Sequence, residues 1–151
     1  MPKINFSRAP RKTGSGYPSP YDAPCRNRAR LQLGDAGGLT QFGVNLMTLS
    51  PGAWSSQRHW HSQEDEFIRV MEGEVVLVED SSETVLRAGD CAAFPAGAPN
   101  GHHLQNRSGS DAVILEVGTR HESGDEADYP DLDMLHRPGK GYVRRDGSRY
   151  S

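Results

Sequence analysis

The chain has 151 residues, of which 34% are apolar, and 17 glycines and 10 prolines punctuate it. One domain uses most of that length, and the frequent turn-formers suit many short strands better than long helices. No apolar run approaches ~18 residues, which excludes a membrane-spanning helix, and the formal charge of −3 is unevenly spread.

Residues 1–30 carry Lys3, Arg8, Arg11, Lys12, Arg26, Arg28 and Arg30 against a single acid, Asp22. Pro2, Pro10, Pro18, Pro20 and Pro24, with Gly14 and Gly16, make this stretch an extended basic arm without a core of its own. A basic arm invites nucleic acid or a membrane. No helix-turn-helix or zinc-finger spacing accompanies it, so contact with an acidic body, its own or a partner subunit's, is the better reading. Neither nucleic acid nor membrane is expected as a partner. The stretch Met1-Pro2-Lys3-Ile4-Asn5 lacks the apolar core of a signal peptide. Cys25 and Cys91 form neither a C-x-x-C pair nor a disulfide framework. A cytoplasmic protein with reduced thiols is the expectation.

The body, residues 31–120, holds four basic residues against twelve acids between 31 and 117. Leu39 to Leu49 reads as a strand ending at the turn Ser50-Pro51-Gly52. Glu66 to Met71 and Glu74 to Glu79 follow, separated by Gly73. Then come Glu83 to Arg87, Cys91 to Phe94, His102 to Gln105 and Ala112 to Val117, with turn signals between them. Strands at this spacing predict an all-β antiparallel sandwich or barrel. The C-terminal extension, residues 121–151, is polar. Tyr129 to Leu135 is expected to lay apolar side chains on the surface, and Tyr142 to Arg145 and Ser148 to Tyr150 flank a hairpin signal, Asp146-Gly147.

Four of the six histidines fall in two tight pairs, His59-Trp60-His61 and His102-His103. On a strand, residues i and i+2 face one side, so His59 and His61 aim two imidazoles at one point. Glu66 opens the next strand and delivers a carboxylate from a neighbouring ladder. Neutral imidazoles with one carboxylate suit a divalent Fe, Mn, Ni, Co or Zn ion. Alone, H-x-H is a weak signal, because surface histidines at this spacing are common.

A longer pattern adds to it. Gly52, His59-Trp60-His61, Glu66 and Gly73 resemble the first cupin motif, and Gly89, Pro95, Gly97, His102 and Asn106 resemble the second. The resemblance spans residues 39–118 and, within the family, is similar to small bacterial cupins mostly without an assigned reaction. Two places depart from the pattern. Six residues rather than five separate Gly52 from His59, and Asn100 stands where the second-motif histidine usually follows Pro-x-Gly. His102 nevertheless keeps the family spacing to Asn106. The resemblance implies a single-domain double-stranded β-helix, or jelly-roll barrel, with one metal ion held by His59, His61, Glu66 and His102. It also implies pairing into homodimers through terminal strands.

Around this set, Glu64 and Asp65 read as a solvated loop, with Glu64 the runner-up to Glu66. His121 and His136 read as surface residues and Cys91 as a buried thiol. Strand parity turns His102 and Leu104 inward and His103 and Gln105 outward. Gln41, Asn45 and Met47 share one strand face, which lines the pocket or the opposite side. The function expected is a metal-binding cupin that acts on or binds a small organic molecule, as a dioxygenase or an isomerase. The alternative is a non-enzymatic sensor or binding module. A sugar-phosphate substrate is disfavoured at this point. Phosphate wants an internal Arg or Lys, and of the body's Arg58, Arg69, Arg87 and Arg107 none is expected to face inward.

Overall fold

The computed structural model describes residues 3–150. Met1, Pro2 and Ser151, the ends of the predicted arm and extension, lie outside the described residues. The first strands are Arg11–Thr13 (β1) and Arg28–Gln32 (β2), which pair antiparallel. One helical turn, Leu33–Ala36, leads to Phe42–Leu49 (β3). Trp60–His61 (β4), Glu66–Glu72 (β5), Glu74–Val78 (β6), Glu83–Arg87 (β7) and Cys91–Phe94 (β8) follow. His103–Gln105 (β9) and Ala112–Thr119 (β10) close the body. Ala127–Tyr129 (β11), Met134–Arg137 (β12) and Gly141–Val143 (β13) form the C-terminal part.

These strands make three antiparallel sheets. The largest has the order β1-β2-β3-β10-β5-β8, a second is β13-β12-β11-β4, and a third is β7-β6-β9. Side chains of one parity on each strand converge between the large and the three-stranded sheet. Met47 and Leu49, Ile68 and Val70, Val75 and Leu77, and Ala112 and Ile114 form a buried apolar core with Leu86 and Leu104. The β5–β6 connection turns at Gly73, where φ is +75° and a Cβ would stand 2.6 Å from the Asp111 carbonyl oxygen. Only glycine fits there.

Several expectations change. The segment read as a coreless arm supplies β1 and β2, and β2 runs in register with β3, Arg28 opposite Leu49 and Gln32 opposite Asn45. Its pattern hid this. Arg28 and Arg30 point the charged parity inward, toward a polar pocket, which reverses the usual apolar-in alternation. Tyr129, Met134 and Leu135, expected on the surface, are buried, because the C-terminal sheet folds over Tyr17 and Cys25 of the arm and makes a second apolar cluster. The predicted Tyr142–Tyr150 hairpin reduces to a tight turn with one bridge, Val143 to Arg149, while β13 pairs with β12 instead. Cys91 is exposed and Cys25 is the buried thiol. Cys91 begins β8, an edge strand of its sheet, and pairs there with Arg69, itself exposed.

Candidate metal centre

His59 and His61 bracket Trp60 where the chain enters β4, and His102 lies just before β9. The two segments are stitched by a backbone bridge, with His102 N–H donating to the His59 carbonyl at 2.9 Å and the reverse bond at 3.2 Å. Glu66, first residue of β5, comes from the large sheet. The ligand atoms of His59, His61 and Glu66 lie within 4.8 Å of one another, and His102 joins them through the second Glu66 oxygen. His59 Nε2 and His61 Nε2 are 3.1 Å apart. Glu66 Oε1 is 2.5 Å from His61 Nε2 and 3.4 Å from His59 Nε2. Its Oε2 is 2.8 Å from His102 Nε2.

Outer contacts fix two of the rings. His59 Nδ1 donates to the Gln57 carbonyl at 2.8 Å, and Tyr129 stacks on the ring. His61 Nδ1 donates to Asp125 Oδ2 at 2.6 Å, and Asp125 Oδ1 accepts the Gln63 N–H at 2.9 Å. With Nδ1 held by an acceptor, each Nε2 faces the centre and Glu66, and once deprotonated it offers the lone pair that metal ligation needs. His102 is held differently. Its ring lies flat on Phe94, with centroids 3.6 Å apart, and its Nδ1 is buried without a partner. Imidazole nitrogens plus one carboxylate, so oriented, fit a borderline divalent ion.

The charges are coupled. Burial pushes the Glu66 carboxyl up, but hydrogen bonds from His102, His59 and His61 outweigh it and hold it well below the usual carboxylate range. Burial works against a charged His61, yet Glu66 and Asp125 overcome it and push its pKa up to about 9.

The neighbouring residues divide clearly. His103 turns away from the centre, as its parity requires, but it is not on the outside of the protein. It is 4% exposed, donates from Nδ1 to the Ser56 carbonyl at 2.8 Å and packs edge-on against Trp54. Burial pushes its pKa down to about 4. The loop carrying Trp54 covers this face, which strand parity alone does not reveal. Glu64 stands on the Nδ1 side of His61, at 3.9 Å, in a separate group with Asp125. Asp65 accepts the Ala96 N–H at 2.7 Å and so ties down the Pro95 loop. Arg58 is turned from the centre and clamps Asp131, Asp80 and the Gly101 carbonyl. His121 is exposed and His136 half-buried.

A pocket of about 360 Å³ opens beside the centre. Asn45 and Met47 line it, which settles the inward face of β3, whereas Gln41 is exposed. Tyr17, Arg28, Arg30 and Tyr142 also line it, and sequence reasoning missed all four. Arg28 and Arg30 carried one signal, the i, i+2 spacing that marked the histidines. Asp125 carried none, because its role depends on β11 pairing with β4, Ala127 opposite His61.

The cupin domain family model matches residues 45–118. The crystal structure of a sugar phosphate isomerase from a cupin superfamily, from Silicibacter pomeroyi, superimposes with a TM-score of 0.92 at 48% identity, covering 99% of this chain and 97% of that one. The chain belongs to the cupin superfamily. A second structure, from Acidithiobacillus ferrooxidans and provisionally described as a sugar phosphate isomerase, matches at 29% identity with a TM-score of 0.72, over 82% of this chain and 80% of that one. The polyketide cyclase RemF of Streptomyces resistomycificus shares the fold at 19% identity, with a TM-score of 0.59 and 79% of each chain covered. The cupin fold thus serves unrelated chemistry, and function must be read from the site. No curated protein sequence matches this cupin.

Proposed function

We propose that this cupin holds one divalent transition metal through His59, His61, Glu66 and His102 and isomerises a small sugar-type substrate, a sugar phosphate above all. The observation that carries the reading is the meeting of three imidazole Nε2 atoms on the Glu66 carboxylate beside a polar pocket of about 360 Å³. The 48% identical protein described as a sugar phosphate isomerase supports the substrate class. The earlier objection to phosphate, the want of an internal cation, falls with Arg28 and Arg30 in the pocket. A bound divalent ion supplies Lewis-acid polarisation of the substrate's oxygens.

The chain supplies the rest. Glu64 lines the pocket, and burial raises its carboxyl pKa above the usual value. We assign to it the transfer of a proton from the carbon beside the substrate carbonyl to the carbonyl carbon, while the hydroxyl proton passes to the carbonyl oxygen, with no net change in protons or electrons. Its Oε1 accepts the His121 N–H at 2.9 Å, which orients the carboxylate. Tyr17, Tyr142 and Met47 line the cavity.

The test is elemental analysis of protein purified without added metal, then NMR detection of solvent deuterium at C2 of sugar phosphates. About one ion per chain and deuterium incorporation lost in Glu64→Gln are expected. A metal-free protein that stays inert when divalent ions are added overturns the reading. A second reading draws on His59, His61 and Glu66, whose ligand atoms lie within 4.8 Å of one another. Two histidines and one carboxylate suit Fe(II) oxygenases, and oxygen uptake by the iron-loaded protein selects that reading. We also propose a cytoplasmic homodimer, which light scattering checks; a monomer at micromolar concentration counts against the pairing.

A further inference from the structure

The arginines of the pocket are unequally satisfied. Arg28 and Arg30 lie two residues apart on β2 and both line the cavity. Arg30 is neutralised by Glu116, which accepts from its Nε at 2.6 Å and its Nη2 at 3.1 Å. Arg120, also lining the pocket, is paired with Asp35. Arg28 has no carboxylate. Its Nε donates to the Gly14 carbonyl at 2.9 Å and its Nη1 to the Ser55 carbonyl. Among the described residues, Nη2 has no hydrogen-bond partner and stays open to solvent, in a residue otherwise only 8% exposed.

Two guanidiniums on one strand face thus share a single carboxylate. Burial above all, and then the charge of Arg30, disfavour the charged form of Arg28. A buried cation without a counter-ion is costly. Two backbone carbonyls accept its hydrogen bonds but carry no net charge, so they do not neutralise the guanidinium. An anion entering the cavity would match the excess charge, and the free Nη2 with the remaining Nη1 hydrogen offers it a fork suited to a tetrahedral oxyanion.

We infer that Arg28 is the specificity-determining residue that receives the phosphate of the substrate, at a distance from the histidine cluster set by the substrate's own length. This rests on the isomerase reading for the identity of the whole substrate, while the anion site stands on Arg28 alone. It also gives the N-terminal segment a function. The turn at Gly14 and the β1–β2 pairing hold the guanidinium in place, so the segment presents the anion-binding residue of a pocket otherwise built by the body.

The experiment titrates the full-length chain with inorganic phosphate by calorimetry, in wild type and in Arg28→Gln. Arg28→Gln should weaken phosphate at least about tenfold, the loss expected when a charged donor pair is removed, with metal content unchanged. Equal affinity in both proteins overturns the inference and leaves the isomerase reading intact. Phosphate binding lost in Arg28→Gln, with no isomerase activity in wild type, keeps the anion site and sinks the enzyme reading instead. Acetate binding as tightly as phosphate overturns the assignment to phosphate. Should Arg28→Gln fail to fold, the wild-type chain decides by NMR. The Arg28 Nε–Hε signal, assigned against Arg28→Lys, must shift on phosphate addition, and a signal that stays put refutes the proposal.

Discussion

Asp125 reaches the centre only through His61, and its carboxylate sets that ring's tautomer at 2.6 Å. Asp125→Asn keeps an acceptor but removes the charge. It should weaken divalent metal binding about tenfold, the usual cost of losing a supporting carboxylate, as chelator competition will measure. The two adjacent histidines make a sharper pair. His102 Nε2 touches Glu66, whereas His103 bonds Ser56 and Gln105. In metal titration His102→Ala should lose most affinity, and His103→Ala should stay within about tenfold of wild type. Reversal of the two results would place the wrong histidine in the centre.

At the scale of the element, one glycine carries a turn that no other residue can make. At Gly73 a Cβ would be 2.6 Å from backbone and φ is +75°. Gly73→Ala should cost about 1–3 kcal/mol in denaturant unfolding, whereas Gly109→Ala, with nothing within 4 Å and no positive φ, should cost far less. The strands differ in how they could be read. β3, β5, β6 and β10 alternate apolar inward residues and stand within a few residues of their expected limits. β2 was not legible as an ordinary strand, because it points Arg28 and Arg30 into a polar cavity, as β4 does with its histidine. Their polar parity reflects the site and not the solvent.

Across the whole molecule the buried histidines set opposite pH trends. In the metal-free protein Glu66 and Asp125 overcome burial and push the His61 pKa up to about 9, above its unfolded value of ~6.5. Its stabilisation is complete below ~6.5 and is lost as pH rises through about 9. Burial pushes the His103 pKa down to about 4, below that unfolded value, so stability falls as pH drops from ~6.5 toward ~4, by roughly 3 kcal/mol once fully charged. Glu66 adds a further loss below the ordinary carboxylate range. Unfolding of the metal-free chain should therefore be hardest near pH ~6.5. In His103→Gln the decline between pH ~6.5 and ~4 should flatten; an unchanged slope would show that His103 is not the buried neutral group described.

The sequence by itself determined the cupin fold of the body and marked His59, His61, Glu66 and His102 as one candidate cluster. Strand alternation is a local property, and the His59-x-His61, Glu66 and His102 positions lie on or beside strands whose parity can be counted. Tertiary structure decided what surrounds them. Asp125 supports His61 because β11, sixty-odd residues later, pairs with β4. His103 is neutral and buried because the Trp54 loop covers it. Arg28 and Arg30 enter the pocket because β2 joins β3 in register. Each of these depends on pairing between distant segments, and period-2 patterning specifies which face a side chain takes but not which segment lies across from it.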